Sequence, residues 1–271
     1  MSEAIEALVA DEEARPLAGG QSLLPLMALR LSAPSLLVDL NGIDELGQID
    51  VTGDGTVEIG AMVRQAECER SPIVAEWVPL LGEALRHVGH PAIRSRGTVG
   101  GSVAHGDPTA ELPAVMTALE ATMVLQGPDG TRRVPAADFF TGHFSTDTGP
   151  GELLTSVSVP VSEHVWAFTE LCRRQGDFAL VMAAVGLRLE DGRCRDARIV
   201  LGAVGDRPAR ARAAEAALAG VEIGDAAAAE AGLAAATDLR PPGDIHASSG
   251  YRQRVAGVLV RRAILDAAGM S

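Results

Sequence analysis

Apolar positions along this 271-residue chain come in short runs whose spacing switches between helical and strand periods. Residues 3–9 repeat at helical spacing and predict a short amphipathic helix. Residues 15–17 predict a strand that enters a glycine-rich turn. A helix is expected over 23–30, and a buried strand over 36–40 is stopped by Asn41-Gly42. Residues 57–62 alternate as a strand, and 79–88 predict a helix that ends near Gly89. Further on, 112–119 predict a helix and 121–125 a strand, closed by the turn Gly127-Pro128-Asp129-Gly130. Residues 132–134 and Leu153–Val159 complete this larger unit.

The pattern changes after Pro160. Residues 165–172, 180–190 and 194–204 predict three strands, the last two joined by the hairpin dipeptide Asp191-Gly192. Helices follow over 209–218 and 225–236, the second alanine-rich and helical by propensity. A Pro241-Pro242-Gly243 break precedes a last helix over 249–268. The expected class is α+β: two α/β subdomains over 1–52 and 53–162, then an antiparallel sheet with helices over 163–271. The boundary falls at 161–164.

Composition narrows the function. The hydrophobic share of 47% supports a real core, and the net charge of −13 makes nucleic acid or an anionic membrane surface a poor partner. That charge does not exclude an anionic ligand, because salt screens exposed charges beyond about 8 Å. The 23 basic residues are all Arg. Cys68, Cys172 and Cys194 form no C-x-x-C pair, so no iron–sulfur or zinc pattern is present and no metal is expected. Free, buried or half-buried thiols suit a reducing cytoplasm. The acidic N-terminus is not a signal peptide. No apolar run approaches the roughly 18 residues of a membrane span.

Two glycine-paired stretches carry the candidate chemistry. One is Ala18-Gly19-Gly20-Gln21-Ser22-Leu23 and the other Thr98-Val99-Gly100-Gly101-Ser102. Backbone N–H groups in such turns approach a ligand without a Cβ in the way, and a following helix adds partial positive charge. Two of them suggest two walls around a long ligand with a diphosphate in its middle; either alone could be a tight turn. Neither is G-x-G-x-x-G, and neither is followed by the lysine of a P-loop. Ser22 and Ser102 could equally cap helices.

The pair resembles the two FAD-binding loops of the medium (flavoprotein) subunit of molybdenum hydroxylases, the carbon monoxide dehydrogenase and xanthine dehydrogenase family. Arg94-Ser95-Arg96-Gly97 leads into the second loop and His105-Gly106-Asp107-Pro108-Thr109-Ala110-Glu111-Leu112-Pro113 leads out. Arg173-Arg174-Gln175-Gly176-Asp177-Phe178-Ala179 resembles the family's R-x-G-D-[YF]-A segment. Gly243-Asp244-Ile245-His246-Ala247-Ser248 and Tyr251-Arg252 resemble its C-terminal domain. The resemblance implies a PCMH-type FAD fold, like that of vanillyl-alcohol oxidase, with FAD as the cofactor. The family usually begins with an extra strand, so this chain starts inside the helix that follows it.

By this resemblance Ala18, Gly19, Gly20, Gln21, Ser22 and Leu23, with Thr98, Val99, Gly100, Gly101 and Ser102, hold the diphosphate. Glu111 accepts from the ribityl hydroxyls, or is simply a first-turn helix acid. Asp107 joins the site or caps a turn, and Leu154 is a further contact. Phe178 stands where some relatives have a Tyr beside the isoalloxazine ring. Glu170 stands where relatives commonly have Lys; it either lowers the flavin potential or points to solvent. His87 and His90 flank a helix end, where imidazolium is mildly favoured. No catalytic role is assigned to them or to His105. The implied function is electron transfer: FAD takes electrons from [2Fe-2S] clusters of a small subunit, beside a large molybdenum-cofactor subunit, in a dimer of heterotrimers. A self-sufficient FAD oxidase and a flavin-free structural subunit are the alternatives.

Overall fold

The computed structural model describes residues 1–270. The chain forms two compact units, each assembled from non-consecutive segments. The first comprises Met1–Val78, His90–Gly106 and Glu120–Val161, and the second Pro79–Gly89, Asp107–Leu119 and the chain from Ser162 onward. The reason for this interleaving is burial: the helix Glu111–Ala118 hides seven of its eight residues, and such a helix must be surrounded by other elements. It packs in the second unit, where a Cβ on Gly202 would stand 3.2 Å from Ala114 Cβ and the Ala203 N–H donates to Pro108 O at 2.9 Å.

The first unit holds two main sheets. Arg15–Leu17 pairs in parallel with Leu37–Asp39, with Arg15 opposite Leu37. The helix Ser2–Ala10 buries Ala4, Ile5 and Leu8 beside this pair, clustered with Ala14 and Leu40. The larger sheet has five strands in the order Ile49–Val51, Val57–Gly60, Leu153–Val159, Thr122–Gly127 and Gly130–Pro135. Its pairings are all antiparallel. Ile49–Val51 pairs with Val57–Gly60, so the second sheet begins before residue 53. At three residues it is too short to show a period in the sequence.

The second unit is an antiparallel sheet of Val165–Leu171, Val181–Glu190, Arg193–Gly202 and Ala209–Arg210 in that order. The hairpin turn at Asp191-Gly192 has both residues at positive φ, 51° and 75°, the mirror-image turn that matches strand twist. Alternate residues Ala167, Val181, Ala183, Val185, Ile199 and Leu201 meet the helices Arg212–Leu218, Asp225–Thr237 and Ser249–Ala267. The last two helices approach so closely that a Cβ on Gly232 would lie 2.4 Å from Gly257 O. This accounts for the small residues of the alanine-rich helix. The opposite face of the sheet carries Met182 and Gly202 beside Ala114, and Phe168 beside His87.

Candidate functional site

The two glycine loops meet within the first unit. The first follows the strand Arg15–Leu17, and the second opens the helix Val99–His105. Gly19 lies against the segment before the second loop: a Cβ there would be 2.2 Å from Arg96 O and 2.7 Å from Gly97 Cα. No side chain fits in that space, so glycine is required by close approach. A Cβ added to Gly101 would stand 3.2 Å from Ala18 Cβ, a second and looser contact between the loops.

The loops differ in their hydrogen bonding. In the second loop the Val99 N–H donates to Val63 O at 3.0 Å and the Gly100 N–H to Ala61 O at 2.9 Å. The Gly101 N–H donates to Thr98 Oγ1 at 3.0 Å, and the Ser102 N–H to Thr98 O at 3.2 Å. Thr98 is thus the buried N-cap of this helix, whereas Ser102 sits inside the first turn and does not cap it. A Cβ on Gly100 would stand 2.3 Å from Ala61 Cβ. The expectation that this loop offers free N–H donors is therefore corrected: two of its donors hold it to Ala61 and Val63, just beyond the strand Val57–Gly60, and two bond Thr98. Thr98 is buried, so the half-buried Ser102 hydroxyl is what this loop presents.

The first loop is the reverse. Among the described residues, none accepts a hydrogen bond from the N–H groups of Gly19, Gly20, Gln21 or Ser22. Gly20 adopts φ +70°, which turns successive N–H groups to one side as in an anion-binding nest. Ser22 occupies the N-cap position of the helix Leu23–Ala28, yet its side chain makes no cap bond. Gln21 folds back, its Nε2 donating to Gly19 O at 3.1 Å. Unused backbone donors at a Cβ-free turn fit a diphosphate, so the residues present suit a dinucleotide cofactor such as FAD.

The remaining expected residues are spread more widely. Leu154 is buried in the five-stranded sheet opposite Leu125. Asp107, Glu111 and Phe178 belong to the second unit. Asp107 Oδ1 accepts from the Thr109 N–H at 2.8 Å and from Thr109 Oγ1 at 2.7 Å, the pattern of an Asx turn. Glu111 is buried in the first turn of its helix, not an exposed surface acid. Phe178 is 68% exposed, offering an aromatic face at the loop before Ala179.

Glu170 does not point to solvent. Both carboxyl oxygens are inaccessible and make no hydrogen bond of normal geometry. Burial pushes its pKa up to about 7, with only weak relief from the neighbouring Cys172 thiol. A carboxyl that keeps its proton near neutrality opposes negative charge far less than a carboxylate would. His87 lies tilted against Phe168 with ring centroids 5.2 Å apart. Burial and Arg86 lower its pKa, so it stays neutral rather than forming the imidazolium a helix end would favour. Cys68 and Cys194 are buried and Cys172 half-buried, all three free. Among the described residues no His, Cys, Asp and Glu side chains gather as metal ligands, and no helix is long and apolar enough to cross a membrane.

Sequence reasoning passed over three residues around the loops. Asn41, Arg64 and Gln65 carry no recognisable motif, and Asn41 reads only as the end of a strand. Arg64 forms an antiparallel bridge with Thr98, and the Gln65 N–H donates to Gly97 O at 2.9 Å. Arg64 also lines an open cleft of about 640 Å³ with Glu67, Glu69, Arg70, Arg94 and Ser95. Within that cleft Arg94 Nε donates to Glu69 Oε2 at 2.8 Å.

Comparison with known proteins identifies the family. Residues 1–162 match the FAD binding domain in molybdopterin dehydrogenase, and residues 166–267 match the CO dehydrogenase flavoprotein C-terminal domain. The chain is 39% identical to the nicotine 6-hydroxylase medium subunit of Paenarthrobacter nicotinovorans, over 98% of this chain and 94% of that one. It is 36% identical to the glyceraldehyde dehydrogenase medium chain of Sulfolobus acidocaldarius, over 99% and 95%. Quinoline 2-oxidoreductase from Pseudomonas putida 86 superposes with a TM-score of 0.97 at 45% identity, covering 100% of this chain and 95% of that one. Carbon monoxide dehydrogenase from Hydrogenophaga pseudoflava gives a TM-score of 0.94 at 41% identity, covering 98% and 93%.

Proposed function

This chain belongs to the FAD-binding medium subunits of the molybdenum hydroxylases, and from that premise we propose that it relays electrons from iron–sulfur clusters of a partner subunit to a terminal acceptor. The observation that carries the reading is the first glycine loop, with its row of unused N–H donors lying against the second loop. Bound there, FAD supplies the conversion between one-electron and two-electron chemistry; the protein supplies binding, orientation and electrostatic tuning.

The residues divide this work. Gly19, Gly20, Gln21 and Ser22 offer backbone donors to the diphosphate, where charge-assisted hydrogen bonds are strongest. Ser22 and Ser102 add hydroxyls. Glu111 keeps its implied role as acceptor for ribityl hydroxyls, Asp107 shapes the turn that leads to it, and Leu154 backs the sheet. Phe178 offers a ring face without the hydroxyl of a Tyr, so stacking is kept and one hydrogen bond is lost.

The cluster ligands must come from another chain, since the three cysteines here are scattered through the sequence. Relatives named as medium chains support a complex with a large molybdenum-cofactor subunit and a small [2Fe-2S] subunit. We assign it the stoichiometry of a dimer of heterotrimers and a cytoplasmic location. The test is anaerobic reduction of the complex, with and without the iron–sulfur subunit, read by flavin bleaching. Fast bleaching that requires the iron–sulfur subunit is expected. Equal rates in its absence would contradict the relay.

A further inference from the structure

We propose that Arg64 and Asn41 are positioning residues that clasp the two FAD loops together from outside the cofactor site, an inference that rests on the FAD reading above. The guanidinium of Arg64 spans two partners. Its Nη2 donates to Asn41 Oδ1 at 2.6 Å, and its Nη1 donates to the carbonyl of Arg96. Asn41 continues the chain of bonds: its Nδ2 donates to Ala18 O at 3.3 Å and to the Asp39 carboxylate. A carbonyl of the first loop and the carbonyl just before the second are therefore joined through two side chains.

The geometry explains why such a clasp is needed. The first loop is joined to the rest of its unit through a short parallel strand pair, and among the described residues the N–H groups of Gly19 to Ser22 find no acceptor. The second loop is anchored by Val63 and Ala61. The close contacts of Gly19 with Arg96 and Gly97, and of Ala18 with Gly101, set how near the loops come, and close contact limits approach without limiting separation. Arg64 and Asn41 supply the missing restraint. The planar fork of Arg suits this task because it can serve two acceptors at once in fixed directions, which the single ammonium of Lys cannot. Asp39 orients the Asn41 amide, and the Asn41 N–H also donates to Asp39 Oδ1 at 3.0 Å. These bonds hold the Asp39 carboxyl below its ordinary range, with Arg64 contributing.

The clasp predicts a specific pattern in the full chain, measured as FAD affinity and FAD release rate by flavin fluorescence. Arg64→Lys keeps the charge but loses the fork, so it should weaken FAD about tenfold, close to the effect of Asn41→Ala, as expected for loss of one charge-assisted hydrogen bond. The double variant should be no weaker than either single one, because both break the same connection. Melting of the FAD-free chain should shift little, while the stabilisation that FAD confers should fall. Rescue by Lys would mean that Arg64 acts by charge on the diphosphate and would overturn the clasp, as would additive effects of the two substitutions. So would an Asn41→Ala chain that binds FAD like the wild type; Asn41 is exposed, so this variant folds even if Arg64 substitutions do not. A wild-type chain that binds no FAD would instead refute the FAD reading itself.

Discussion

Gly19 and Arg96 meet backbone to backbone: a methyl group on Gly19 would stand 2.2 Å from the Arg96 carbonyl oxygen. The neighbour is main chain and cannot rotate away. Gly19→Ala must therefore push the two loops apart. It should destabilise the protein by about 1–3 kcal/mol, the usual cost of overpacking, and lower flavin content well beyond that loss of stability. Gly42, which has nothing within 4 Å of an added Cβ, is the control. Urea unfolding and flavin-to-protein ratio on Gly19→Ala and Gly42→Ala check this, with Gly42→Ala close to wild type in both.

Thr98 caps the helix Val99–His105 through its hydroxyl. Thr98→Ser keeps the acceptor and should be nearly neutral. Thr98→Ala removes it, leaves the Gly101 N–H without its partner and should cost about 1 kcal/mol. Thermal unfolding of the two variants measures the difference. Equal melting would show that the cap contributes nothing.

Glu170 makes stability depend on pH. Its folded-state pKa is raised to about 7 from an ordinary 4.5, so the folded chain holds the proton more tightly than the unfolded chain does. Stability is undiminished below about pH 4.5, falls as pH rises towards 7, and stays at the lower level above that. Glu170→Gln removes this loss. It should stabilise the protein at pH 8 by no more than about 3 kcal/mol, and by less where partial solvation weakens the effect. At pH 4.5 the gain should vanish. Melting curves of wild type and Glu170→Gln at the two pH values decide it, and a gain independent of pH would remove the explanation.

Cys172 is the one half-buried thiol of the three, whereas Cys68 is buried and its pKa pushed up to about 12. Burial and Glu170 also raise the Cys172 pKa. A thiol-alkylating reagent should modify Cys172 first and slowly at neutral pH. Above pH 7, where Glu170 is ionised, Glu170→Gln should speed that reaction by removing a neighbouring negative charge. Peptide mapping after timed alkylation reads both effects.

How much of this was legible in the sequence depended on length and period. Strands such as Leu153–Val159 and Val165–Leu171 span enough residues to display their pattern, and the turns at Gly127 and Asp191 carry specific turn chemistry. The helices Gln65–Arg70 and Pro72–Trp77 are six residues each, too short to complete two turns, and went unpredicted. The glycine loops were visible because their composition is unusual. Their division of labour was not, since whether an N–H is free depends on where Ala61 and Val63 lie, some forty residues back along the chain. Arg64 and Asn41 were invisible for the same reason: an Arg or Asn acquires its role only through partners that folding brings near.

Purification of the chain from its native cells, with flavin quantified against protein and co-purifying chains identified, tests the central claim most directly. The account predicts FAD at about one per chain, together with a molybdenum-containing large subunit and an iron–sulfur small subunit. A flavin-loaded chain that travels alone and is reduced by a small substrate, or a colourless chain that brings both partners, would contradict it.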